Sequence, residues 1–502
     1  MIDRAKNGQT RRGALLSLLC VCLALPWALC GCAPQARLSA PPDSPALTRA
    51  AQGLDAYDIY AVFDPQARTL ACTQRVRYRN RGQEALPALY LRAYPAAFRS
   101  EETSPAAIPE HMAATYGQAG FDAGDISFAA VAVDGAAAPF VRSGEDGTAL
   151  RVTLTAPLAP GDWAALDLTY TLQIPRVAYR FGVAGETWCL GNAFPLVAAR
   201  RENAWALDAY EPIGDPFLSD CANFTFTLDA PAAFVPAATG ALRSQTGGDD
   251  RTLWQWQALA ARDFALVLFA RCRTAQRLLA PDGPLVVAHA ASENTAQAML
   301  TTAEAALRLY GRLFGTPYPY PVFTLAQASL GGYGGMEYPG LVFIEAADLA
   351  GENLAYVVAH ETAHQWWYAL VGSDQVLSPW LDEALAEYAA LLYVENTQGS
   401  EAFEALYQRR IEPALRLTFP AGVTVGAPLD RFASVAEYGM VVYQRGAGML
   451  HGLRLAMGDE AFFAALGAYA RPHTFGMATP EDFLFALAAA SGANWAGYIA
   501  DF

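Results

Sequence analysis

Lysine is nearly missing from this chain: Lys6 is the only one, and every later cation is arginine. With the abundant alanine and glycine this marks a GC-rich coding bias, so alanine carries little weight as a helix signal. Positive charge is short overall, with 34 Lys and Arg against 49 Asp and Glu and a formal net charge of −15. Such a surface excludes nucleic acid as a partner and does not invite anionic lipid. Cysteine is sparse beyond residue 32, where Cys72, Cys189, Cys221 and Cys272 remain and none makes a CxxC pair. They read as structural, with at most two disulfides and three possible connectivities. Internal repeats are absent, and low complexity is confined to the stretch before residue 51.

Arg4, Lys6, Arg11 and Arg12 precede the apolar run Ala14–Leu29, which closes on Leu29-Cys30-Gly31-Cys32. The run is short for a bilayer span, and a basic flank, an apolar core and a small residue before Cys make an export signal of lipoprotein type. The expectation is a signal peptide over 1–31, lipid on Cys32 and a membrane-tethered chain lying outside the cytoplasm. Removing 1–31 takes away four cations and Asp3, which leaves a net charge of −18. Residues 32–50, rich in Ala, Pro and Ser, read as a flexible tether.

The remaining length suffices for two or three domains. Short alternating runs at 57–63, 69–78, 88–94, 126–133, 150–154, 165–174, 221–228 and 253–259 read as strands of an antiparallel all-β domain over 51–272. Arg99–Asp125 interrupts them as an inserted loop, with His111 on the surface. A strand at 285–289, a long helix at 293–314 and a strand at 322–326 open a second domain, 273–502, which turns mostly helical. Its later helices are expected at 403–418, broken or kinked at Pro413, then at 435–457, 460–469 and 480–490. His451 and His473 read as structural. The fold class is thus multidomain α+β.

The second domain is organised around His360-Glu361-Thr362-Ala363-His364. Two histidines four apart on a helix project from one face, so both imidazoles reach one cation, and Glu361 can act on a water beside it. Val371-Gly372 is expected to end that helix. Ser378-Pro379 then caps a second helix carrying Glu383, with eighteen residues between it and His364. Two His and one carboxylate leave a zinc ion an open position, as catalysis requires. Glu387, one turn on, is either an outer partner of a ligand histidine or a solvated carboxylate.

The His360–His364 motif, its spacing to Glu383, the run Trp380-Leu381-Asp382-Glu383 and the upstream Gly334-Gly335-Met336-Glu337-Tyr338-Pro339 resemble the aminopeptidase N-type gluzincins. That family also includes leukotriene hydrolase. The resemblance implies a saddle-shaped β domain before a thermolysin-like domain, one Zn2+ per chain and peptide substrates with a free N-terminus. It implies Glu361 as general base and Tyr443, before Gln444-Arg445-Gly446, as oxyanion donor; Tyr438 is the alternative. Glu337 would pair with the substrate α-ammonium, and Gly334, Gly335 and Met336 would line the peptide. Tyr338 stands where many members have Asn, and Asp382 where Asn is more frequent. Glu186 lies where members offer a second amine-binding residue, but reads as a surface carboxylate. Many members continue into a helical domain over the cleft, so a more open cleft is expected here. The competing expectations are an endopeptidase or epoxide hydrolase on the same scaffold, or a non-catalytic peptide-binding surface protein. Side-chain preference and oligomeric state are not written in these motifs.

Overall fold

Two-residue alternation builds the first half of the molecule. A computed structural model of the chain describes residues 38–345 and 351–502; the signal at 1–31, Cys32 and the start of the tether lie outside them. Asp55–Asp64 and Thr69–Arg79 turn Tyr57, Ile59, Phe63, Leu70 and Val76 into a core and their alternate residues outward. Both sit in an eight-stranded sheet ordered 241–247, 251–261, 222–231, 55–64, 69–79, 163–173, 125–133, 136–137. The antiparallel expectation is corrected at one place. Asp55–Asp64 runs parallel to Ala222–Pro231, Asp55 opposite Ala222 and Val62 opposite Asp229. Strands so far apart in sequence are joined by a long excursion, which frees the pair from hairpin geometry. Two four-stranded sheets, containing 86–92 with 149–158 and 187–190 with 266–269, and a two-stranded one, 200–201 with 204–205, complete this half.

The tether expected over 32–50 is docked from residue 38 onward. Ser44 accepts a hydrogen bond from Leu47 N at 3.1 Å and opens the helix Pro45–Ala50. Leu47 is buried against Ala260, Tyr320 and Tyr368, and Asp43 pairs with Arg243. One leucine anchors the segment, a signal too small to stand out from its Ala and Pro surroundings.

A five-stranded sheet begins at Arg273, ordered 273–278, 285–290, 322–328, 341–345, 335–336. Its three central strands are parallel, and 341–345 is buried throughout, as a sheet covered on both faces requires. Helix Glu293–Leu313 connects the first two, its start capped by Ser292, whose hydroxyl accepts from Thr295 N. Gly335–Met336 adds a short antiparallel edge. Helices Gly351–Ala363, Trp380–Gln398, Ser400–Arg410, Glu412–Leu415, Asp459–Ala470 and Pro480–Ser491 follow, with 435–457 running as one helix through a π-turn at Gly439–Arg445. The break before Pro413 is where a residue without N–H begins a new helix.

One core holds the second sheet and the helices, another fills the β half, and a third joins them through Cys189, Val267 and Phe269 packed with Met336, Tyr338 and Phe343. Arg262 bolts the same seam. Its buried guanidinium donates to Tyr368 O at 2.7 Å, Ser219 O at 3.2 Å and Gly476 O, and a Cβ at Gly372 would lie 2.3 Å from its Cζ. Cys72, Cys189 and Cys221 carry free, buried thiols. His451 packs among Tyr388, Phe403 and Tyr407, and His111 is half-buried, stacked on Tyr333. No helix among the described residues is long and apolar enough to cross a membrane.

Candidate active site

Helix Gly351–Ala363 carries His360 and Glu361 in its last turn, and His364 follows directly. The helix stops eight residues before the expected end at Val371. Bonds from Gln365 N to Thr362 O and Trp366 N to Ala363 O tighten the chain, and Tyr368 at φ 139° cannot continue a helix. His364 N still reaches His360 O at 3.4 Å, which keeps the two imidazoles one turn apart. The expected Ser378 cap is also corrected: no side chain caps helix Trp380–Gln398. Asp374 organises the approach instead, its Oδ1 accepting from Val376 N and Leu377 N, while the Ser378 and Pro379 carbonyls accept from Leu381 N and Glu383 N.

The two segments bring three donor atoms together. His360 Nε2 lies 3.1 Å from His364 Nε2, and Glu383 Oε2 lies 3.3 Å from each. A tetrahedral ion with ligand bonds of about 2.0–2.1 Å sets its ligand atoms about 3.3–3.4 Å apart, so this trio fits zinc. The opposite ring nitrogens are occupied. His364 Nδ1 is 2.9 Å from Trp367 O, and His360 Nδ1 is 3.3 Å from Glu387 Oε2, which points both Nε2 atoms at one place. Glu387 is buried, not solvated, and Arg410 Nε donates to its other oxygen at 2.5 Å.

The electrostatics favour a cation. Burial would push both histidines toward the neutral form, yet Glu383 and Glu387 overcome it and raise His360 to about 9; Glu383 likewise raises His364. Burial would raise Glu383, but the imidazoles hold it below the usual carboxylate range. Asp382 is pushed up to about 8 by burial and by Glu383, and its two oxygens accept from Gln375 Nε2 and Glu383 N.

Glu361 is buried and its Oε2 meets no partner. Burial lifts its pKa to about 7 against the pull of the two histidines. Gly335 makes room for it: a Cβ there would lie 2.3 Å from Glu361 Oε1. Glu337, also buried, accepts from Gln375 Nε2 at 3.1 Å, and the same amide donates to Asp382 at 2.7 Å.

His360, Glu361, His364, Glu383, Glu337, Gly334, Gly335, Met336 and Tyr443 all line one cavity of about 280 Å³. Tyr443 stacks on His360 with ring centroids 5.7 Å apart, and Tyr438 meets it edge-on. The π-turn puts residues five apart on one side, which turns both rings inward. Burial, then the charge of Glu383, keeps both phenols neutral, and Tyr438 Oη has no partner. Tyr338 packs away from the cavity, donating to Asn192 Oδ1 at 2.8 Å, while Asn192 donates to Asp263 at 2.7 Å.

Glu186 is exposed on Arg271 and takes no part in the cavity. The β half instead supplies Asp215 and Arg180, a buried ion pair unread in the sequence. Carboxylate oxygens of Asp215, Glu337 and Glu383 lie within 4.8 Å of one another. Burial and then Asp215 push Glu337 well above its usual range, so the empty cavity favours its protonated form, and a cation seated between these carboxylates would favour its ionisation.

A peptidase family M1 domain matches residues 298–501. Aminopeptidase M1 of Arabidopsis thaliana is 30% identical over 201 residues, 37% of this chain and 22% of the relative. Aminopeptidase N of Lactococcus lactis subsp. lactis is 28% identical over 292 residues, 54% of this chain and 34% of the relative. The chain thus spans 22% and 34% of the length of these two curated relatives. The M1 zinc metallopeptidase of Deinococcus radiodurans shares the fold at a TM-score of 0.62 and 19% identity, over 88% of this chain and 92% of that one. A mutant of it with a bound Tyr-Ser-Ala substrate superposes equally well, at 0.62 and 20% identity, over 88% and 91%.

Proposed function

We propose that this chain, whose residues 298–501 match a peptidase family M1 domain, is a zinc aminopeptidase trimming residues from the N-termini of peptides. The observation that carries this is a tetrahedrally spaced His360, His364 and Glu383 beside Glu361, whose Oε2 is unpartnered, in a cavity also lined by Glu337 and Asp215. Zinc there supplies the Lewis acidity that activates water and polarises the scissile carbonyl. Glu361 takes the proton of the attacking water and returns it to the leaving amine, so its carboxylate ends each cycle as it began. Tyr443 donates its phenolic hydrogen to the oxygen that gains charge in the tetrahedral transition state. Glu337 and Asp215 pair with the α-ammonium, fixing the cut one residue from the end. The Deinococcus neighbour with its bound tripeptide supports a short peptide in such a cleft. The finer reading, an exported protein anchored by lipid on Cys32, rests on the basic flank and the apolar run before that residue.

Hydrolysis of aminoacyl-arylamides beside N-acetylated controls tests this, with metal analysis and a Glu361→Gln variant. Release from free amines alone, about one zinc per chain and a loss of roughly 10³-fold or more in the zinc-loaded variant are expected. Equal cleavage of blocked peptides means an endopeptidase; zinc without turnover means a binding protein.

A further inference from the structure

The catalytic cavity does not end at the metal ligands. Tyr356, Val357, Arg410 and Gln444 line both it and a neighbouring cavity of about 740 Å³. Asp215 and Glu337 line only the first. The cleft therefore has a carboxylate end and, past the metal ligands, a second end of different character.

That second end carries arginine. Arg409 and Arg410 close the helix Ser400–Arg410, and both line the larger cavity. Arg410 is held in a fixed plane, its Nε on Glu387 and its guanidinium 4.7 Å from the centre of the Tyr356 ring. Glu387 is its one carboxylate partner among the described residues, and the side chain stays 41% exposed where it lines the cavity. Arg409 is exposed and forms no ion pair among the described residues, while Glu352 is the single carboxylate among those lining this cavity. In a chain of net charge −15, the unpaired guanidinium of Arg409 beside that of Arg410, whose single carboxylate partner is Glu387, forms a local anion receptor.

We propose that Arg409 and Arg410 bind the C-terminal carboxylate of a short peptide whose amine is held by Glu337 and Asp215, a proposal that rests on the aminopeptidase reading. The relay from His360 through Glu387 to Arg410 is short. An extended peptide advances about 3.3–3.6 Å per residue, so a carboxylate about two or three residues past the scissile bond reaches the guanidinium. The preferred substrates are then peptides of about three or four residues with a free C-terminus.

Calorimetric binding to the zinc-loaded Glu361→Gln chain tests this with trialanine, trialanine amide and N-acetyl-trialanine. The free acid is expected to bind roughly 10- to 100-fold more tightly than the amide, the usual range for a charge-assisted contact. Arg409→Gln in the same background should bring the two together by weakening the acid, with amide binding as the internal control for folding. Equal affinity of acid and amide, or no binding of either at millimolar concentration, overturns the proposal. If the acetylated acid binds as well as the free amine while the preference for acid over amide persists, the aminopeptidase reading fails and the carboxylate receptor stands.

Discussion

Glu387 Oε2 lies 3.3 Å from His360 Nδ1, on the side of the ring opposite the donor trio. A buried carboxylate in that position fixes the tautomer and rotation of the ligand histidine. Glu387→Gln should therefore lower zinc affinity about 10- to 100-fold, read by competition with a chelator, while the apo chain stays folded. Unchanged affinity would reduce Glu387 to a partner of Arg410 alone.

Tyr443 and Tyr438 both turn toward the site, but only Tyr443 stacks on a ligand histidine. Tyr443→Phe removes the phenolic hydroxyl and leaves the ring that packs on His360. It should lower kcat about 10²- to 10³-fold with little change in KM. Tyr438→Phe, which deletes an unpartnered hydroxyl, should cost far less; the reverse ranking exchanges their roles.

Glu337→Gln keeps the shape of the amine end and removes its charge. KM for free-amine substrates should rise by about 10- to 100-fold, and discrimination against N-acetylated peptides should shrink with it. Steady-state kinetics on matched free and acetylated substrates read both changes.

Asp263 is buried and pushed up to about 7 by burial, against bonds from Phe264 N and Asn192. Unfolded, it titrates near 3.9, so between about 4 and 7 the folded chain holds the extra proton. Stability from this group is full below that window and falls as pH rises through it, by a few kcal/mol at most. Asp263→Asn should be less stable, since it loses the bond from Asn192, but should show a smaller drop in Tm between pH 5 and pH 7.5 than the parent chain. An equal drop in both would assign the slope to other groups.

The paired histidines of the proposed zinc site were legible because helical spacing is local: residues four apart share a face whatever surrounds them. The strand runs were legible for the same reason, since alternation survives in any sheet that covers one core. Asp215 and Arg180 were not, because they reach the cavity from the β half, more than a hundred residues before the motif they face. The docked Pro45–Ala50 helix was hidden by composition, and the π-turn under Tyr443 by its resemblance to an ordinary helix. In both cases tertiary packing decided the outcome, and periodicity carried no trace of it.

Tyr338, the residue after Glu337, reaches across the seam to Asn192 and through it to Asp263. His360, His364, Glu383, Glu361 and Glu337 with its partner Gln375 belong to the later half of the chain, whereas Asp215 comes from the earlier one, as does the anchor of Tyr338 beside Glu337. In the proposed aminopeptidase, the blade and part of the gauge thus come from different parts of the chain. A change confined to the β half can alter where a peptide is measured without touching how it is cut.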